Sequence, residues 1–111
     1  MLSQDALIHV TTQEAWDSVG GSGRYFPPGF DAEGFIHCCH RSQLERVLSD
    51  HFAAQVEVLL LVLEPSQITA DIRYERAANG DDYPHIYGPI EPQAVTQSIS
   101  APKVDGEWQL P

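Results

Sequence analysis

Basic residues are scarce in this sequence: six Lys and Arg stand against sixteen Asp and Glu, a formal net charge of −10 with histidine neutral. Nucleic-acid binding relies on basic side chains that displace counterions from phosphates. This balance therefore counts strongly against a DNA- or RNA-binding module, although a local group of arginines could hold one phosphorylated ligand. Long apolar runs are also missing. Nothing approaches the ~20 residues needed to span a bilayer, so no membrane partner is expected. The opening "MLSQDALIHV" has neither a basic n-region nor a long apolar h-region, which speaks against a secretory signal and makes cytoplasmic residence the expectation. There is no repeat and no linker, so the 111 residues are expected to form a single domain, 1–111.

Cysteine is nearly absent too, and both copies sit side by side in "GFIHCCH" (34–40). No C-x-x-C is present, which removes a catalytic dithiol. A Cys38–Cys39 disulfide would close a strained ring. Zinc needs ligands that converge on one tetrahedral point. Alternation on a strand instead sends His37 and Cys39 one way and Cys38 and His40 the other. A mixed site drawing on His9 or His85 has no spacing signature, so no metal is expected. A single cysteine nucleophile paired with His37 or His85 stays open, beside the plainer reading of cysteine as a small buried apolar residue. No G-x-G-x-x-G follows a strand, and "GGSG" is a weak phosphate-loop signal.

What is present reads as short strands with few helices. "ALIHV" (6–10) is a buried strand. "TTQEAWDSV" (11–19) looks helical, with Thr11 and Glu14 at capping-box spacing and Ala15, Trp16 and Val19 on one face. Residues 20–34 hold five of the eight glycines and read as loop. "FIHCC" (35–39) reads as one strand. A helix follows, opened by Ser42 and Glu45 as a second capping box, with Leu44, Val47, Leu48 and Phe52 at helical spacing. "VEVLLLVLE" (56–64) is the central strand, which Pro65 stops. "ADIRYER" (70–76) alternates as a half-buried strand. Residues 77–92 read as a long polar-aromatic loop, "AVTQSIS" (94–100) as a strand, and "GEWQLP" as an edge strand or tail. This is α+β, mainly antiparallel, with two helices near the N-terminus. The two long loops are where a ligand is expected.

His9 and His37 each read as ending a strand, and two histidines at two strand ends could face one pocket and read polar groups on a ligand. The plainer alternative is that each satisfies a buried backbone group. His85 in "YPHIYGP" adds a third candidate.

With "IHVTT", Trp16, Tyr25, "EGFIHC", "RYE" and "YPHIYGPI", the chain resembles the domain of unknown function 952 family over about residues 6–99. One departure is Cys39, where that family's pattern usually has serine, which weakens a catalytic role for it. The resemblance implies a fold similar to the ADP-ribosyltransferases, with NAD in a cleft between two small, split antiparallel sheets. It implies catalytic roles for His9, on a ribose hydroxyl or phosphate, and for His37, at the nicotinamide end. Glu75 is one candidate for the third catalytic residue, and His85 and Tyr87 could line the cleft instead. Thr11, Tyr25, Arg73, His85 and Tyr87 are the candidate ligand contacts, with Arg24 and Arg76 the other arginines suited to a pyrophosphate. The activity so implied is transfer or hydrolysis of ADP-ribose. The competing expectation is a non-catalytic module that binds a small metabolite or peptide in the same cleft.

Overall fold

The run "VLLLVL" becomes the middle of a sheet that is covered on both faces. It lies in β4 (Glu57–Leu63), where every residue after Glu57 is buried. A strand buried on one face only would alternate polar with apolar; this one needs apolar side chains throughout. The computed structural model describes residues 2–18 and 23–111. Val19 and "GGSG" up to Ser22, assigned above to a helix end and a loop, lie outside the described residues.

The other strands are β1 (Leu7–Thr11), β2 (Ile36–His37), β3 (Cys39–His40), β5 (Ile72–Arg76), β6 (Asp82–Ile86), β7 (Val95–Val104) and β8 (Glu107–Trp108). They form a five-stranded sheet of order β3-β1-β4-β7-β8 and a three-stranded sheet of order β2-β6-β5. Each of these strand pairs is antiparallel. Three short helices, α1 (Gln13–Asp17), α2 (Phe30–Glu33) and α3 (Leu44–His51), complete an α+β architecture. Among the described residues no helix is long and apolar enough to cross a membrane.

Alternation along β1 and β4 divides the core. Leu7, Leu59, Leu61 and Leu63 join Ile36 and Ile86 of the smaller sheet in one apolar cluster. Ile8, Val10, Val58 and Leu60 join Leu44 and Leu48 of α3 in the other. Leu44 and Leu48, four apart on one helix face, are both fully buried, and each such leucine contributes ~1.5–3 kcal/mol.

Several sequence expectations need correction. The cap of α1 is Thr12, whose Oγ1 accepts from the Ala15 N–H at 3.1 Å. Thr11, expected there, is still in β1 and pairs with Leu59. Ser42 and Glu45 make no capping box: Arg41–Gln43 is a 3-10 turn ahead of α3, Gln43 Oε1 accepts from the His40 N–H at 2.9 Å, and Glu45 pairs with Arg41. A third helix, α2, lies in the segment read as loop, so the expectation of two helices is one short.

"FIHCC" is two strands in different sheets. Ile36 and His37 pair with Ile86 and His85, whereas Cys39 and His40 pair with Ile8 and Leu7. The chain crosses between sheets at Cys38, whose N–H donates to the Pro84 carbonyl at 3.1 Å. The segment read as a long loop, 77–92, contains β6, the middle strand of the smaller sheet. Proline inside a middle strand is normally excluded because it cannot donate to the ladder. Here the Pro84 carbonyl still accepts from the Cys38 N–H, at the point where the chain leaves β2 for the larger sheet.

Candidate functional site

His9, expected at a strand end, lies mid-strand in β1 because the strand runs on to Thr11; it is on the face turned toward the smaller sheet and is 4% exposed. Its Nδ1–H donates to the His37 carbonyl at 2.7 Å. A carbonyl can only accept, so the proton sits on Nδ1 and Nε2 is left as an acceptor. The Tyr25 hydroxyl lies 3.2 Å from Nε2 and 2.8 Å from Thr11 Oγ1. The consistent arrangement has Thr11 donating to Tyr25 and Tyr25 donating to His9. Burial, outweighing the hydrogen bond to His37, lowers His9 from an ordinary 6.5 to about 4. The ring is neutral at physiological pH. Burial likewise raises the Tyr25 phenol.

Tyr25 reaches this place because its backbone forms a two-way bridge with Ile90. The ring is fully buried between the sheets, with Trp16 of α1 tilted against it at 5.3 Å between centroids. This network stitches β1, β2 and the 23–30 segment together.

His37 behaves differently. Its side chain is 59% exposed, and its Nε2–H donates to Glu33 Oε2 at 2.6 Å. Glu33 ends α2, four residues earlier, and is held by the turn between two left-handed glycines, Gly29 (φ 89°) and Gly34 (φ 83°). Those angles are open to glycine without strain. His9, Thr11, Glu33, Phe35 and His37 line one cleft of about 250 Å³, which Phe30 and Phe52 also wall.

Beyond Phe35 lies a second cluster. Phe35 stacks on His85 at 4.2 Å, and His85 meets His37 edge-on at 5.1 Å. His85 Nδ1–H donates to Glu75 Oε1 at 2.7 Å, and the Tyr87 hydroxyl donates to the same oxygen at 2.5 Å. These two bonds, Tyr87's the larger influence, hold the Glu75 carboxyl below the usual carboxylate range, while the carboxylate raises the Tyr87 phenol. Arg73 lies over the Tyr87 ring at 4.5 Å and pairs with Asp71 at 3.5 Å. Register explains the grouping: His37, His85 and Arg73 are cross-strand partners in one row.

The structure thus brings His9, Thr11, Tyr25 and His37 together, and Glu75, Arg73, His85 and Tyr87 into an adjoining cluster. Glu75 is not among the cleft-lining residues; the carboxylate there is Glu33. Glu33 and Phe35 were overlooked as site residues. The signal was the i, i+4 spacing of Glu33 and His37 in "EGFIHC", hidden because the segment read as loop. Arg76 pairs with Asp82 at 3.0 Å. Both cysteines are buried, Cys38 between the sheets and Cys39 beneath α3. Burial pushes the Cys38 thiol well above its usual range and Cys39 to about 12. Reactive thiols need the opposite environment. Among the described residues no group of His, Cys, Asp and Glu could hold a metal ion.

Fold and site together define an α+β protein with a histidine-lined cleft between two antiparallel sheets. The chain belongs to the family described as protein of unknown function (DUF952), whose model matches residues 10–98. Among solved structures it is similar to the crystal structure of protein CC0527 from Caulobacter crescentus, at 26% identity and TM-score 0.81, over 93% of this chain and 92% of that one. A crystal structure of a double mutant of CC0527 gives 26% identity and TM-score 0.80 over the same shares. The solution structure of CC0527, at 23% identity and TM-score 0.77 over 94% and 90%, shows the same fold. No curated protein matches the chain.

Proposed function

We propose that the cleft binds NAD or a related nucleotide by its nicotinamide–ribose end, as in folds resembling the ADP-ribosyltransferases, and transfers or hydrolyses the ADP-ribose group. One observation carries this reading: His9 and Thr11 from one sheet and His37 from the other line a single cleft. Aromatic walls from Phe30, Phe35 and Phe52 suit a planar ring. A volume of about 250 Å³ lies below the ~300–1,000 Å³ of sites that enclose a whole drug-sized ligand. The cleft therefore suits a ring with its sugar, while the rest of a dinucleotide would lie outside. Among the described residues no Lys or Arg lines the cleft. A pyrophosphate would look to Arg73, at the far end of the row that begins at His37.

Within this reading His37 meets the ligand and His9 acts through the backbone. Both His9 nitrogens are already bonded within the protein, so its part is to hold the His37 carbonyl and hence β2. That same fact favours a second reading, in which the cleft binds a small neutral metabolite and does no chemistry. Thermal unfolding of wild type and His37→Ala with millimolar NAD, ADP-ribose and nicotinamide tests the first reading, followed by an assay for nicotinamide release. Ligand-dependent stabilisation of wild type alone, with turnover, is expected. Stabilisation without turnover would favour the second reading. No stabilisation by any of the three would sink the nucleotide reading.

A further inference from the structure

We infer that Glu33 is the positioning carboxylate of the cleft, holding the proton of His37 on Nε2 so that Nδ1 is the nitrogen offered to a hydroxyl or amide N–H of the ligand. This deepens the reading above and rests on the cleft being the ligand site. The argument begins with the lining: Glu33 is its only carboxylate among the described residues. Its Oε2 accepts from His37 Nε2–H at 2.6 Å. A carboxylate that binds one imidazole nitrogen selects the tautomer and fixes the ring plane. Edge contacts from Phe35 at 4.8 Å and His85 at 5.1 Å restrain the ring further. The backbone of the same residue is tied by His9, so His37 is held at both ends. Among the described residues no hydrogen bond reaches His37 Nδ1.

Glu33 itself is placed by the short turn that closes α2. The Gly34 N–H donates to the Phe30 carbonyl at 2.7 Å, and the Ala32 and Glu33 N–H groups donate to the Gly29 carbonyl. A Cβ at Gly29 would already lie in contact with Glu33 Oε1, at 3.6 Å. Glu75, the carboxylate expected from the sequence, is committed to His85 and Tyr87 instead. The ligand class follows from the acceptor. A sugar hydroxyl or an amide N–H donates to Nδ1, whereas a bare phosphate oxygen or a carboxylate has nothing to donate and would face Glu33 as well.

The test has two arms, and the first needs no ligand. In 15N-labelled protein at about pH 8, long-range proton–nitrogen correlation should show His37 carrying its proton on Nε2 and not on Nδ1, with a protected Nε2–H signal. Glu33→Ala should lose that protection, and Glu33→Gln, whose carbonyl still accepts, should retain it. A proton on Nδ1 in wild type, or protection surviving in Glu33→Ala, overturns the inference. The second arm is the Kd for NAD. Glu33→Ala should weaken it roughly tenfold and Glu33→Gln by no more than about threefold. Wild-type affinity in Glu33→Ala overturns the inference, as does Glu75→Gln weakening binding more than Glu33→Ala does. If wild type binds no NAD, the nucleotide reading fails while the first arm still decides the role of Glu33.

Discussion

The buried neutral His9 makes folding stability depend on pH in a way that can be worked out from its surroundings. In the unfolded chain the imidazole takes up a proton below its ordinary value of 6.5; in the native protein it does so only below about 4. Between those values the unfolded state binds more protons, so the stability contributed by His9 is full above 6.5 and is lost as pH falls toward 4. One unit of difference corresponds to about 1.36 kcal/mol. The interval from 6.5 to about 4 therefore sets a ceiling of ~3 kcal/mol. At pH 5 the linkage relation gives a loss of ~2 kcal/mol relative to pH 7.5. That is a large share of the ~5–15 kcal/mol by which a domain of this size is stable.

Other groups titrate over the same range, so the assay must subtract them. Urea unfolding of wild type and His9→Asn at pH 7.5 and pH 5 does this. Asparagine keeps a donor near the His37 carbonyl and carries no titrating group. The variant should be less stable at pH 7.5, because Tyr25 loses a partner, but it should lack ~2 kcal/mol of the wild-type fall on acidification. If the two proteins lose the same stability within about 0.5 kcal/mol, His9 is not buried neutral and the network assignment is wrong.

Tyr25→Phe removes the hydroxyl that serves both His9 and Thr11. Two buried groups left unpaired should cost about 2–4 kcal/mol and lower Tm by roughly 10 °C; a fall below about 3 °C would show that the network contributes little. Gly88 sits against the smaller sheet's neighbour Ala70, and a Cβ there would lie 2.7 Å from the Ala70 Cβ. Gly88→Ala should destabilise by about 1–3 kcal/mol, and adding Ala70→Gly should recover most of that. Failure of the double variant to recover would locate the strain elsewhere. Because both cysteines are free, buried and raised by that burial, a thiol reagent at pH 8 should label neither in native protein and both in denaturant. Rapid native labelling of either would contradict the packing and revive a thiol enzyme.

Elements whose hydrophobic pattern is carried by their own residues were legible in the sequence. The unbroken apolar run of β4 marked a strand buried on both faces, and the paired leucines of α3 marked a helix with one buried side. β6 was not legible. Its Asp82, Pro84 and flanking Gly88 are turn-forming residues, and only the neighbours supplied by β2 and β5 make "DYPHI" a strand. The split of "FIHCC" was equally hidden, since five consecutive residues give no sign that their partners belong to two different sheets.

The candidate site divides along the same line. By itself the sequence determined which chemistry is available: an acidic chain with few cations, histidines at two strand positions, aromatic and glycine-rich loops, and cysteines in no reactive pattern. It also carried, in "EGFIHC" and "YPHIYGPI", the mark of the family. Only the tertiary structure decided which histidine is spent inside the protein and which is open to solvent. That difference comes from environment. His9 lies between two sheets where burial keeps it neutral and bonded at both nitrogens, whereas His37, one strand away, lies at a sheet edge where the side chain emerges beside Glu33. Burial and partner choice depend on contacts far apart in the chain, and no local pattern of residues encodes them.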